Sequence, residues 1–179
     1  KECGQIPHPD GLQEGAVKPP DPVAIPAGLK QPADINEVID EIMLLNEKQL
    51  WEYSIKVRTH YEDNIKKVLA SKNHLRQVYL NIISNAKGAM PDGGKLILKT
   101  WSDKKNVYIS FTDTGVGIKK EHLDEIFDSF FTTKGSVQGV GLGLSVCYGL
   151  IQDHGGNIRV ESEINKGSTF TISLPAIES

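Results

Sequence analysis

The stretch Asn73-His-Leu-Arg-Gln-Val-Tyr-Leu-Asn-Ile-Ile-Ser-Asn-Ala-Lys-Gly-Ala-Met90 carries its apolar residues in a helical rhythm. Leu75, Val78, Ile82, Ala86 and Ala89 form one stripe, and Leu80 and Ile83 widen it, so the predicted helix is largely buried. A second stripe holds His74, Gln77, Asn81, Asn85 and Gly88. Asn81 and Asn85 stand one turn apart on one face. A solvated face would carry Lys and Glu. Two neutral amides point either to polar atoms turned into a cavity or to buried backbone groups that they satisfy. A carboxamide oxygen also suits Mg²⁺, which takes few protein ligands and favours phosphate oxygens and water.

The neighbouring segments change period. Pro91-Asp92-Gly93-Gly94 closes the helix, and strands follow over Lys95–Trp101 and Asn106–Asp113, turning through Asp103, Lys104 and Lys105. Lys119–Phe127 reads as a short helix and Phe130–Gly143 as a loop rich in Gly, Thr and Ser. Leu144–His154 is a further helix. Asn157–Glu163 and Ser168–Leu174 form a last hairpin around Asn165-Lys166-Gly167. Upstream, Ser54–Tyr61 alternates as a half-buried strand, with Ile55, Val57, Thr59 and Tyr61 on one side. Ile35, Val38, Ile39, Ile42 and Leu45 predict a first helix, N-capped by Asp34, with Glu37 completing a capping box. Residues 1–33 are rich in Pro and Gly and read as a linker or arm, which leaves a domain over residues 34–177. Helices interspersed with hairpins predict an α/β fold: a two-layer sandwich in which helices cover one face of a mixed β-sheet.

The bulk properties exclude several classes. The chain has 179 residues with 39% hydrophobic and 24% charged, which suits one globular domain with an extra segment. Its net charge of −3 gives no electrostatic footprint for nucleic acid. Cys3 and Cys147 read as a surface thiol and a small core residue, without a disulfide framework, and a reducing, cytoplasmic setting fits. No apolar run is long enough to span a membrane, and no signal peptide is visible, although the chain is expected to be part of a longer protein.

Three further segments carry chemistry. In Asn106–Asp113, Val107, Ile109, Phe111 and Asp113 share a face, so a carboxylate ends an apolar row. Burying it without a donor is costly. A ligand with an exocyclic amino group, such as adenine, would supply the donor, and Gly115 and Gly117 would let the backbone turn close to it. The same residues also fit an Asx turn that opens the next helix. In Gly139-Val-Gly-Leu-Gly143, glycines run straight into a helix, where free amides and the helix dipole favour a phosphate. No Gly-Lys-Ser/Thr follows and no strand precedes, so neither a Walker A loop nor a dinucleotide fingerprint is present. Between these two lies Phe127-Asp-Ser-Phe-Phe-Thr-Thr-Lys134, whose Phe residues suit core packing and whose Thr132, Thr133 and Lys134 are placed to meet phosphates.

Taken in order, these segments resemble the GHKL superfamily of ATPases and kinases, and within it the histidine kinase catalytic domain. Leu75–Ala86 is similar to the family's N box, Asp113–Gly117 to G1, Phe127–Lys134 to the F box, Gly139–Gly143 to G2 and Gly167-Ser-Thr-Phe170 to the last glycine motif. The resemblance spans about residues 34–175. It implies the Bergerat sandwich, ATP and Mg²⁺ as ligands, and γ-phosphate transfer to a histidine of a dimerisation and phosphoacceptor domain, with a response regulator downstream. It implies Mg²⁺ ligation by Asn85, acceptance of the adenine amino group by Asp113, and a base pocket shaped by Gly115 and Gly117 with help from the Thr169 hydroxyl. Gly139, Gly141, Leu142 and Gly143 would lie along the phosphates. Thr133 would help bind the nucleotide, Lys134 would be a lid cation at the γ-phosphate, and Asn81 would line the catalytic site. Hydrolytic members carry a Glu where Asn81 stands, and an amide cannot serve as a general base. Transfer is thereby favoured over hydrolysis, with catalysis resting on positioning and charge.

No histidine here is followed by the pattern of a phosphoacceptor motif. His8, His60, His122 and His154 read as solvent or packing residues, and His74 is near the nucleotide site by helix register alone. Gly88 occupies a position that is basic in many relatives, with Lys87 beside it. A hydrolysing GHKL ATPase and a non-catalytic nucleotide-binding docking module are the alternatives. The acceptor domain would lie elsewhere in the parent protein, with this chain as its cytoplasmic, cytosolic part even where the parent is a membrane-bound sensor.

Overall fold

The computed structural model describes residues 30–131 and 142–177. Its elements run β1 (Gln31–Ala33), α1 (Ile35–Glu52), β2 (Ile55–His60), β3 (Val68–Ala70), α2 (Lys72–Ala89), β4 (Gly94–Ser102), β5 (Asn106–Asp113), a 3₁₀ turn (Lys120–His122), α3 (Gly143–Asp153), β6 (Asn157–Glu163) and β7 (Gly167–Pro175).

Five strands form one sheet in the order β2-β4-β5-β7-β6, parallel between β2 and β4 and antiparallel elsewhere. Alternation along the strands makes it two-sided. Leu96 and Leu98 of β4, Val107, Ile109 and Phe111 of β5, and Phe170, Ile172 and Leu174 of β7 are buried. They pack with Leu75, Val78, Tyr79 and Ile82 of α2, Ile35, Val38, Ile39 and Ile42 of α1, and Cys147 and Ile151 of α3 in a single core. The helices therefore cover one face of a mixed sheet, as the pattern predicts.

Local chemistry sets the element ends. Asp34 caps α1 by accepting from Asn36 N–H at 2.8 Å. Glu37 does not complete a capping box; it turns to Lys72 of α2 at 3.4 Å. Glu41 pairs with Arg76 one turn further on, so α1 and α2 run side by side in one direction. In the β4–β5 turn, Asp103 Oδ1 accepts from the N–H groups of Lys105 and Asn106, both at 2.7 Å.

Three further expectations are corrected. Gln31–Ala33, placed in the linker, is a strand antiparallel to β3, which alternation did not reveal. Three-residue strands are too short to show a period, and these two pair across distant sequence. Lys119–Phe127 is a 3₁₀ turn followed by irregular turns, because Ile126 is its sole fully buried apolar anchor. In β2, Thr59 is exposed with its neighbours, so its half-buried side is shorter than expected.

Candidate functional site

One side of α2 organises the site. Asn81, Asn85 and Ala89 follow one another at single-turn spacing. At one end, Asn81 Nδ2 donates to Gly143 O at 3.3 Å and lies 3.5 Å from Cys147 Sγ, which ties α2 to the first turn of α3. At the other end, Ala89 O accepts from Val116 N–H at 3.0 Å, which ties α2 to the glycine loop after β5. Gly115 lies so close to this carbonyl that an added Cβ would sit 2.4 Å from it. Asn85 stands half-buried between these two joints, and among the described residues its side chain makes no hydrogen bond. Of the two sequence readings for the amides, Asn81 satisfies a backbone carbonyl, whereas Asn85 has no such partner among the described residues.

Asp113 ends β5 on the core face and is 3% exposed. Its Oδ1 accepts from Gly115 N–H at 2.8 Å and from Ser168 N–H at 3.3 Å. Burial pushes its carboxyl above the ordinary range, and the two N–H groups only partly oppose this. Among the described residues, hydrogen bonds reach Oδ1 alone. The site thus holds a buried carboxylate with one oxygen fixed by backbone.

The β6–β7 turn packs directly against this loop. Gly167 has φ +102°, and an added Cβ would lie 2.0 Å from Asp113 O. Gly117 has φ +72°, and its Cβ would lie 2.2 Å from Glu163 O. Neither position accepts a side chain. Asn165 N–H donates to Val116 O at 2.9 Å, a second clamp between turn and loop.

Not every expected residue arrives at this cluster. Asn81, Asn85, Asp113, Gly115, Gly117 and Gly143 do. Leu142 precedes α3 as its N-cap, and its carbonyl accepts from Ser145 Oγ at 3.0 Å and Val146 N–H at 3.1 Å. Thr169 does not: it pairs with Thr112, their hydroxyls are 3.0 Å apart, and both lie on the sheet face away from Asp113. Ser168 takes the place beside Asp113 instead. Counting back in twos from the apolar Leu174, Ile172 and Phe170 arrives at Ser168, a signal present in the sequence. Thr133, Lys134, Gly139 and Gly141 lie outside the described residues. Lys87 turns away from Asn85, with Nζ 4.9 Å from the centre of the Tyr53 ring. His154 is a buried joint: Nε2 accepts from Ser71 N–H at 3.0 Å, and Nδ1 meets Leu150 O at 2.6 Å. His74 lies edge-on to it at 5.9 Å.

Comparison with known proteins gives a consistent result. The family model described as histidine kinase-, DNA gyrase B- and HSP90-like ATPase matches residues 70–178. Sporulation kinase A of Bacillus subtilis is 37% identical over 147 residues, covering 82% of this chain and 24% of the relative. Sensor histidine kinase ZraS of Escherichia coli is 37% identical over 145 residues, covering 81% of this chain and 31% of the relative. The chain therefore spans about a quarter to a third of the curated relatives it matches. A nucleotide-free catalytic domain of histidine kinase ThkA superposes with a TM-score of 0.75 at 32% identity, covering 82% of this chain and 95% of that one. ThkA solved in complex with the response regulator protein TrrA gives a TM-score of 0.70 at 27% identity, covering 83% of this chain and 42% of that one.

Proposed function

This chain belongs to the family of histidine kinase-, DNA gyrase B- and HSP90-like ATPases, and from that membership we propose that it is the ATP-binding catalytic domain of a two-component sensor kinase. In this reading it holds Mg-ATP and presents the γ-phosphate to a histidine on a dimerising domain outside this chain. The observation that carries the reading is Asp113, a buried carboxylate with Oδ1 held by two backbone N–H groups. A group that costs so much to bury is retained where a ligand donor completes it. The amino group of adenine is such a donor.

Each residue then has a task. Asp113 accepts from the base. Gly115 and Gly117 keep the loop thin enough for the base to lie against it. Asn85, half-buried beside the pocket, fits a Mg²⁺ ligand. When bound, the ion would neutralise charge on the phosphate oxygens. Asn81 is a positioning residue, since its Nδ2 holds Gly143 and so aims the first turn of α3. The amides and dipole of that turn favour phosphate. Gly139 and Gly141 are proposed to lie under the phosphates, with Thr133 helping to bind the nucleotide and Lys134 as a cation near the γ-phosphate. The amide of Asn81 supplies no base for water, which favours transfer to an imidazole, a nucleophile that needs little activation when neutral. The partners proposed are the acceptor domain and a response regulator, and the cytoplasm is the proposed compartment. The ThkA complex with TrrA, a response regulator, supports the second partner by likeness.

Calorimetric titration with a non-hydrolysable ATP analogue tests the reading. Saturable binding strengthened by Mg²⁺, and phosphate transfer from ATP to a separately supplied acceptor domain, are expected. A folded sample that binds no nucleotide would withdraw the enzyme assignment in favour of a docking module.

A further inference from the structure

Neither β2 nor β4 contains an acidic residue. In β4, Leu96, Leu98 and Thr100 turn to the core, so Lys95, Ile97, Lys99 and Trp101 stand on the face that the helices leave open. The register puts Lys56 beside Lys95, Arg58 beside Ile97 and His60 beside Lys99 on that same face. Lys56, Arg58, Lys95 and Lys99 are all exposed, and none of them takes part in an ion pair among the described residues. Like charges set side by side across two strands cost stability. Cations on an edge strand have a plain use, since they keep other strands from pairing there. That accounts for Lys56 and Arg58, because β2 is an edge. It does not account for Lys95 and Lys99, because β4 lies between β2 and β5. In the opposite layer, α1 holds Glu37, Asp40, Glu41, Glu47 and Glu52 against Lys48 alone. The net charge of −3 therefore conceals a basic sheet face and an acidic helix.

The layout points to the kind of anion. The strands spread the charges over a sheet surface, and three of the four are lysines, compact point charges rather than bidentate forks. That suits a diffuse, planar array of anions. Trp101 and Tyr108 adjoin the cations on the same face, stacked with ring centres 5.2 Å apart and planes 8° apart. Lys99 Nζ lies over the Trp101 ring, 5.5 Å from its centre. A ring engaged by both neighbours is poorly placed to stack on a base, which disfavours single-stranded nucleic acid. Amphipathic rings beside cations suit the headgroup level of a bilayer instead.

We infer that the open face of β2 and β4 is a docking surface for an anionic membrane, with Lys56, Arg58, Lys95 and Lys99 against the headgroups and the acidic α1 turned away. The inference goes beyond the nucleotide reading and does not depend on it. Each cation near such a surface strengthens binding about fivefold, and salt weakens the attraction. The mutual repulsion of Lys56 and Lys95, a cost to the isolated domain, is relieved by the anions of the bilayer.

The test is co-sedimentation of the 179-residue chain with two kinds of vesicle, phosphatidylcholine alone and phosphatidylcholine with an equal part of phosphatidylglycerol. Both are run at low and at high salt, with thermal melts alongside. The parent is expected to bind the anionic vesicles only and to be released by salt. Lys95→Glu turns the repulsive pair with Lys56 into an attractive one, so its melting temperature should hold or rise. Its affinity for the anionic vesicles should nonetheless fall by about tenfold or more. Lys48→Glu makes the same change of net charge on α1 and should bind as the parent does. An equal loss in both variants, or none in Lys95→Glu, overturns the role of this face. A folded parent that does not bind the anionic vesicles overturns the inference and leaves the ATP reading untouched.

Discussion

The backbone N–H of Ser71 donates to Nε2 of His154 across 3.0 Å, so the first turn of α2 hangs from the residue that ends α3. The same ring meets Leu150 O through Nδ1 at 2.6 Å. An acceptor at Nε2 and a carbonyl at Nδ1 together require the neutral ring with its proton on Nδ1. Burial holds the His154 pKa below its ordinary 6.5, and the charges of Lys30 and His74 add to this, while the Leu150 carbonyl and Asp153 act against it. A folded pKa below the unfolded one means that the stabilising contribution is complete above about 6.5 and is lost as pH falls below it. Melting temperature should therefore drop through the weakly acidic range, with a slope of up to ~1.4 kcal/mol per pH unit. His154→Gln should flatten that part of the profile; an unchanged slope would mean that another group titrates.

Asp113 invites a variant in which folding and binding separate. Asp113→Asn keeps an oxygen for Gly115 and Ser168 N–H but removes a buried charge. Its melting temperature should match or exceed that of the parent, because burial already raises the carboxyl pKa. Affinity for an adenine nucleotide should fall by about ten- to a hundredfold, the range for a hydrogen bond to a charged group. Parallel melts and titrations check both halves.

For Asn85, the prediction concerns the cation. Asn85→Ala removes no hydrogen bond within the described residues and puts a better helix former in α2. Stability should hold or rise by ~0.5 kcal/mol. The strengthening of nucleotide binding by Mg²⁺ should disappear, as read by titrations with and without the ion. A full Mg²⁺ response in the variant would remove Asn85 from the ligand set.

Gly167→Ala is expected to fail structurally. The residue has φ +102°, and its Cβ would be pressed to 2.0 Å from Asp113 O. Left-handed strain and the clash together should cost at least ~3 kcal/mol in urea unfolding. Gly149, where an added Cβ meets nothing within 4 Å, is the matched control.

Long periodic segments were readable from sequence because burial imposes the period. α1, α2, α3 and both hairpins fall within a few residues of their expected places. β1 and β3 were not readable, since three residues cannot display alternation. The 3₁₀ turn reads as a helix because Leu123, Ile126 and Phe127 imitate a helical stripe, yet only Ile126 is buried. In the site, Asp113 and its glycines announced themselves as a charge at the end of an apolar row. The resemblance implies Thr169, whereas the alternation of β7 turns Ser168 to the face of Asp113 and Thr169 to the other. The bond from Ile118 N–H to Ser162 Oγ is not legible, since it arises from the pairing of β6 with β7 and from the loop it meets, neither of which one strand's sequence displays.

Both ends of the folded body are lashed to one corner. β1 lies along β3, and on the same short strand Val68 bridges to Ala176 while Lys67 O receives Ile177 N–H. Ser71 follows β3 and caps α2, so the corner that gathers both ends of the folded body adjoins the start of the helix that carries Asn81 and Asn85.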